Sequence, residues 1–196
     1  MGCAASQNTK QQSAGKLTLT YWPLHGLGAA PRMALHFSGV EFDDVLVGGA
    51  DKWFGEQSKA IGDEKNALVN LPYLTTPEGD VIVQSQAVLR HIGRTQQLYG
   101  ATSTDAARVD QIIEILIELR TEFYKMTYAP ESEFASMKAS FLEVSLPYYY
   151  GSIEKFITAG KTKYAAADVV TIADFVLVDQ MQLAAQVYGG DRATFG

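Results

Sequence analysis

Apolar and polar residues alternate from Lys16 to Tyr21, the two-residue period of a strand. Pro23 and Gly26 break that pattern. Ala30, Met33, Ala34 and Phe37 then recur at helical spacing, with Pro31 suited to a first turn and Gly39 to a stop. Residues 42–47 form a second strand, and strand, helix, strand favours a parallel pair joined by a crossover. Residues 48–70 lack a period and are expected to be irregular, with a short helix near Trp53. Two short strands follow, at 72–76 and 81–83, around the turn signal Pro77-Glu78-Gly79-Asp80, and so predict a hairpin. Ser85 is expected to cap a helix that carries Val88, Leu89 and Ile92 on one side.

Beyond a polar linker at 96–104 the pattern changes. Val109, Ile112, Ile113, Leu116, Ile117 and Phe123 make a helical stripe of more than four turns. A second long helix is expected at about 132–157, bent at Pro147. A third starts at Thr171-Ile172-Ala173-Asp174, a capping box with Asp in place of the usual Glu, and runs through Phe175, Leu177, Val178, Met181 and Leu183. The expected organisation is a disordered tail at 1–15, an α/β domain at 16–95 and an all-α helical domain at 104–196.

Composition narrows the function classes. A net charge of −6 argues against non-specific nucleic-acid binding, which needs clustered Lys and Arg on phosphates. No run approaches the roughly 18 apolar residues of a spanning helix, and no apolar signal region lies near Met1. The only cysteine is Cys3, so no intrachain disulfide forms, and His25, His36 and His91 show no metal-ligand spacing. No metal is expected, and the setting is cytoplasmic. The start Met1-Gly2-Cys3, with Ser6, fits the pattern for myristoylation at Gly2, with Cys3 placed for a second acyl chain. Together these would tether the chain to a membrane surface.

Several motifs go further than layout. Tyr21-Trp22-Pro23-Leu24-His25-Gly26-Leu27 resembles the first strand and loop of cytosolic glutathione transferases of the tyrosine type (pi, mu and sigma classes). Asn70-Leu71-Pro72-Tyr73-Leu74 is similar to that family's turn before the third strand, whose proline is cis. The stretch from Gln84-Ser85-Gln86 to Ile92-Gly93-Arg94 resembles its glutathione-binding helix start, and the box at Thr171 to Asp174 resembles that of its helical core. The resemblance runs from Lys16 to about Tyr188. It implies a thioredoxin-like N-terminal domain, an all-α C-terminal domain, glutathione as co-substrate, a role in detoxification and a homodimer.

The chemistry suits those residues. A free thiol has a pKa near 8.5, so little thiolate exists at neutral pH. A hydrogen bond donated to the charged form lowers that pKa, and a tyrosine hydroxyl can donate while staying protonated. The resemblance makes Tyr21 that hydroxyl. It assigns the γ-glutamyl carboxylate to Gln84 and Ser85, where a helix N-terminus offers backbone N–H groups. Asn70, Leu71 and Pro72 would pair with the cysteinyl part, the Leu71 backbone being left free to do so. Trp53 and Lys59 would hold the glycine carboxylate. Glu118 would reach the ammonium of glutathione in the neighbouring subunit. Trp22, Leu24, Leu27 and Tyr128 would line the electrophile pocket as an apolar and aromatic wall.

Two departures stand out. Leu27 occupies a position where the pi class carries arginine, and the chain stops at Gly196, ahead of the last helices of a typical family member. The expected activity is conjugation of glutathione to hydrophobic electrophiles. The alternative is a non-catalytic glutathione- or ligand-binding protein of the same fold, membrane-tethered through Gly2 and Cys3. The joint presence of Tyr21, Gln84 and Ser85 favours the enzyme. A thiol–disulfide oxidoreductase is disfavoured because no cysteine lies near the first helix.

Overall fold

The computed structural model describes residues 15–190. Strand β1 (Leu17–Tyr21) lies inside a mixed four-stranded sheet of order β2-β1-β3-β4, with β2 (Phe42–Leu46), β3 (Tyr73–Thr75) and β4 (Val81–Val83). β1 runs parallel to β2 and antiparallel to β3, and β3 pairs antiparallel with β4. The crossover between β1 and β2 is α1 (Ala29–Ser38), which ends at Gly39 in the left-handed conformation. Position follows from pattern here: β1 is central and buries Leu17, Leu19 and Tyr21, while β2 is an edge whose residues lie mostly in solvent. Gly15 belongs to the folded part, because its N–H donates to the Pro77 carbonyl at 3.1 Å; Gly2, Cys3 and the rest of the expected tail lie outside the described residues.

The segment expected to be irregular is helical. α2 (Ala50–Lys52) continues through a π-helical turn at Trp53–Gln57 into α3 (Ser58–Glu64). Its residues favour helix (Ala50, Lys52, Glu56, Gln57, Lys59, Ala60), but Trp53 is its one buried residue, so no apolar stripe advertised it.

After the hairpin comes α4 (Ser85–Thr95), then α5 (Ser103–Thr127), α6 (Glu131–Ser140), α7 (Leu146–Gly160) and α8 (Ile172–Gly189). α5 opens on a capping box of Thr102 and Asp105 inside the stretch expected to be linker. α8 opens on the expected box of Thr171 and Asp174, and Asp174 also accepts from the Ala165 N–H at 2.9 Å, which pins the loop ahead of the helix. The bend at Pro147 takes the form of a π-helical turn at Phe141–Ser145 between α6 and α7. Proline lacks the N–H that would bond one turn back, and the wider turn absorbs the gap.

One apolar core runs from Leu19, Leu35, Leu74, Leu89 and Ile92 of the α/β elements into Ile112, Ile113, Leu116 and Ile172 of the long helices. A smaller cluster of Tyr21, Val47, Trp53 and Leu71 sits beside it, at one end of the sheet. Among the described residues no helix is long and apolar enough to cross a membrane.

Candidate active site

Strand register gathers the expected residues. Thr20 pairs with Tyr73, and Tyr73 pairs with Val83. One rung further, at a single end of the sheet, come Tyr21, Pro72 and Gln84. The Leu71–Pro72 bond in this row is cis.

Tyr21 is 6% exposed, and its ring is gripped by the loop that follows it. A Cβ on Gly26 would lie 2.6 Å from the Tyr21 hydroxyl oxygen, and one on Gly28 would lie 2.5 Å from the ring. Only glycine lets the backbone approach that closely. The Leu27 N–H donates to Tyr21 Oη at 3.0 Å. Arg32 sits 5.7 Å from the ring centroid. It ties the same loop down, donating to the Leu24 carbonyl at 2.7 Å, the Trp22 carbonyl at 3.2 Å and Asp44 Oδ2 at 2.9 Å. Burial pushes the Tyr21 pKa above its ordinary value. The Leu27 N–H and the charges of Arg120 and Arg32 oppose the shift without cancelling it. The phenol therefore keeps its proton at neutral pH. Its oxygen accepts from Leu27, and its O–H is left to donate.

At the start of α4 the structure departs from expectation. Ser85 is the first residue inside the helix, not its cap. Gln84 holds the cap position at φ 71°, ψ 117°, and its side chain makes no capping bond. For a non-glycine residue this is a strained backbone, of the kind found where a site needs it. Among the described residues neither side chain is hydrogen-bonded, so the Ser85 hydroxyl, the Gln84 amide and the first N–H groups of α4 stay available to an anion.

The rest of the row differs in detail. Leu71 does not have the free N–H expected of it, since Asn70 Oδ1 accepts that hydrogen at 2.8 Å. A ligand strand pairing there would have to displace the Asn70 side chain. Trp53 is buried, stacked on Tyr73 at 6.1 Å and edge-on to Trp22 at 6.4 Å. Lys59 lies on the same helical run, exposed. Glu118 is not part of this cluster: it is exposed on α5 and faces Tyr149 of α7.

In front of Tyr21 opens a cleft of about 550 Å3. Trp22 and Leu24 line one side, Phe123, Tyr124 and Tyr128 of α5 another, and Gln182, Leu183 and Gln186 of α8 a third. Leu27, expected here, is not among the residues of this cleft: its N–H donates to Tyr21, and it lines a small cavity of about 20 Å3 with Ser85, Gln86 and Leu116. The wall is also less apolar than expected. His25, Arg120 and Asp179 join the two glutamines on it. Arg120 and Asp179 are an ion pair whose side chains are 11% and 10% exposed, and the Gln180 amide oxygen faces the same guanidinium. Burial raises the Asp179 pKa, and Arg120 only partly offsets that.

Arg32, Arg120 and Asp179 escaped sequence reasoning. A signal existed for two of them. Arg120 interrupts the α5 stripe between Leu116 and Phe123, and Asp179 interrupts the α8 stripe between Val176 and Leu183. Opposite charges on apolar stripes of two helices suggest a buried pair.

A buried phenol thus lies at one end of the mixed sheet and faces a cleft whose other sides are built by helices α5 and α8. Residues 117–192 match the family described as Glutathione S-transferase, C-terminal domain. Glutathione S-transferase 2 of Gallus gallus is 32% identical over 171 residues, which cover 83% of this chain and 73% of that protein. Glutathione S-transferase Mu 7 of Rattus norvegicus is 31% identical over 173 residues, covering 85% and 75%. Among solved structures, a glutathione S-transferase of Caenorhabditis elegans superposes with a TM-score of 0.75 at 25% identity, over 92% of this chain and 87% of that one. Prostaglandin synthase D of Nilaparvata lugens shares the fold, with a TM-score of 0.72 at 21% identity over 89% and 83%. The chain belongs to the glutathione S-transferase family, and the fold is a thioredoxin-like α/β unit followed by an all-α unit.

Proposed function

We propose that this chain catalyses addition of the glutathione thiolate to electrophiles, with Tyr21 as the hydroxyl that stabilises the thiolate. The observation that carries the reading is the state of that hydroxyl. It is buried, held protonated, and accepts from the Leu27 N–H, so its O–H is free to donate to a ligand in the cleft. A donor polarised in this way is a stronger donor to an anion. The sulfur, as thiolate, forms the new bond to the electrophilic carbon while a leaving group departs or a proton is taken up.

In this reading the γ-glutamyl carboxylate sits on the N–H groups and side chains at Gln84 and Ser85. The cysteinyl backbone pairs beside Asn70, Leu71 and Pro72 once the Asn70 side chain has moved. The glycine carboxylate meets Trp53 and Lys59. Glu118, away from the cleft of its own chain, is suited to act across a homodimer. Trp22, Leu24 and Tyr128 face the electrophile. Membership of a transferase family favours this enzyme over a non-catalytic binder. In this reading the protein acts in the cytoplasm, as a glutathione transferase without acylation at Gly2 or Cys3 would.

Tyr21→Phe tests it. A hydrogen bond to a charged group is worth about 1.5–3 kcal/mol, so kcat should fall about 10- to 100-fold with little change in glutathione affinity. The pKa of bound thiol, read from thiolate absorbance, should rise in parallel. Binding of glutathione without turnover in the unmutated protein would overturn the assignment.

A further inference from the structure

The groups on the cleft wall are not equally free to act. The Tyr21 O–H is committed to the thiolate in the reading above, and Arg120 is committed to Asp179 and Gln180. His25, on the same wall, makes no side-chain hydrogen bond among the described residues. Its backbone is nonetheless fixed. The His25 carbonyl accepts from the Gly28 N–H at 3.1 Å, and Arg32 donates to the carbonyl of Leu24, the residue before it, at 2.7 Å. Gly26, the residue after it, packs on the Tyr21 hydroxyl oxygen, which puts the His25 Cα within about 8 Å of that oxygen. The titratable and charged groups around it are Tyr21, Arg32, Arg120, Tyr124, Tyr128 and Asp179. The charge of His25 acts on Asp179 of α8. Of all these side-chain types, only imidazole ordinarily changes charge between about pH 5 and 8.

We propose that His25 is a catalytic general acid, which gives a proton to the carbonyl oxygen of an α,β-unsaturated ketone as the thiolate adds to it. The proposal rests on the transferase reading and deepens it: the substrate class is the electrophile whose addition leaves an oxyanion. Tyr21 and His25 then divide the work, with Tyr21 holding the sulfur and His25 meeting the oxygen, which lies three bonds beyond the reacting carbon. The sulfur bonds to the β-carbon, the alkene electron pair moves through to the carbonyl oxygen, and the imidazolium N–H gives its proton there. The enol tautomerises to the ketone, and the proton lost by the glutathione thiol recharges the imidazole. Nothing leaves, and no oxidant is needed.

The test compares an enone with a chlorodinitroarene at saturating glutathione, from pH 5 to 8. The arene loses chloride and takes up no proton, so the ratio of the two kcat/KM values cancels the thiolate that both reactions share. It also cancels any partial loss of folded protein within a variant. The ratio should fall as pH rises, because the imidazolium is lost. General acid catalysis contributes about 100- to 10,000-fold, so His25→Gln should lower the ratio at least tenfold at pH 6 and make it flat with pH. A ratio that is flat in the unmutated protein, or a pH limb that persists in His25→Gln, overturns the role of His25. So does a ratio that His25→Gln leaves intact and Tyr124→Phe or Tyr128→Phe abolishes, since a phenol would then supply the proton. Arene turnover without enone turnover overturns the substrate class and leaves the transferase standing. Absence of turnover with both overturns both readings.

Discussion

Helix α5 meets its neighbours through an arginine–aspartate pair at each of two seams, and the seams differ in their access to water. At the seam with α4, Arg90 Nε donates to Asp110 Oδ1 at 2.8 Å, Tyr99 donates to the same oxygen at 2.6 Å, and Glu114 takes another arm of the guanidinium. At the seam with α8, under the cleft, Arg120 meets Asp179. Burial acts on both aspartates in the same direction. At Asp110, 43% exposed, the hydrogen bonds from Tyr99 and Arg90 outweigh it and the pKa lies below its ordinary value. At Asp179 burial wins and the pKa lies above it. The same two residue types thus stabilise one seam and strain the other. The buried pair lies on the wall of the cleft that Tyr21 also lines.

The largest effect expected from this contrast is at Arg120. Arg120→Ala strands the Asp179 carboxylate in a buried site and should lower the unfolding free energy by about 3–5 kcal/mol, measured by urea denaturation. The double change Arg120→Met with Asp179→Leu should recover most of that loss, because it removes the desolvated charges together. A loss below about 1 kcal/mol for the single variant would mean that the pair is solvated, and the contrast would fail.

A smaller effect separates the aspartates by pH. The folded pKa of Asp179 lies above 3.8, so the folded state holds a proton that the unfolded state has already released. Stability from this group therefore declines as pH rises from 3.8 through the folded pKa. Asp110 is the mirror case: its contribution is full above 3.8 and is lost as pH falls through its lower folded pKa. Asp179→Asn should flatten the limb above 3.8, and Asp110→Asn the limb below it. Each change is at most one proton, about 1.4 kcal/mol per pH unit. Urea midpoints at stepped pH values resolve the limbs, and flattening of the same limb by both variants contradicts the assignment.

These seams also mark what the sequence made legible. Strands, hairpin, α1 and the box at Thr171 carry local signals, namely a two- or four-residue period, a turn tetrapeptide and a cap. So does the row of Tyr21, Pro72 and Gln84, because strand ends set by those signals determine the register. The α2–α3 run left no stripe, since one buried tryptophan anchors it. Ser85 looked like a cap because its residue type is a frequent cap. The backbone turn at Gln84, which takes that place, is a tertiary feature without a residue signature. Sequence position puts Leu27 on the cleft wall, whereas in the structure its backbone N–H donates to Tyr21 Oη, a contact that its residue type does not encode. The polar wall needed α5 and α8 to be brought face to face, which no single segment encodes.

The smallest effect tests the outer seam. Arg90→Ala removes partners from Asp110 and Glu114, but both carboxylates remain reachable by water, so the loss should be about 0.5–1 kcal/mol. Salt provides the discriminating control. At 1 M ionic strength the screening length is about 3 Å, and exposed charges hardly sense one another. The gap between the unmutated protein and Arg90→Ala should shrink toward zero there, whereas the gap for Arg120→Ala should persist, because its cost is a desolvated carboxylate that ions cannot approach. If salt closed both gaps equally, Arg120 and Asp179 would be acting as a solvated surface pair, and the contrast between the two seams would fail.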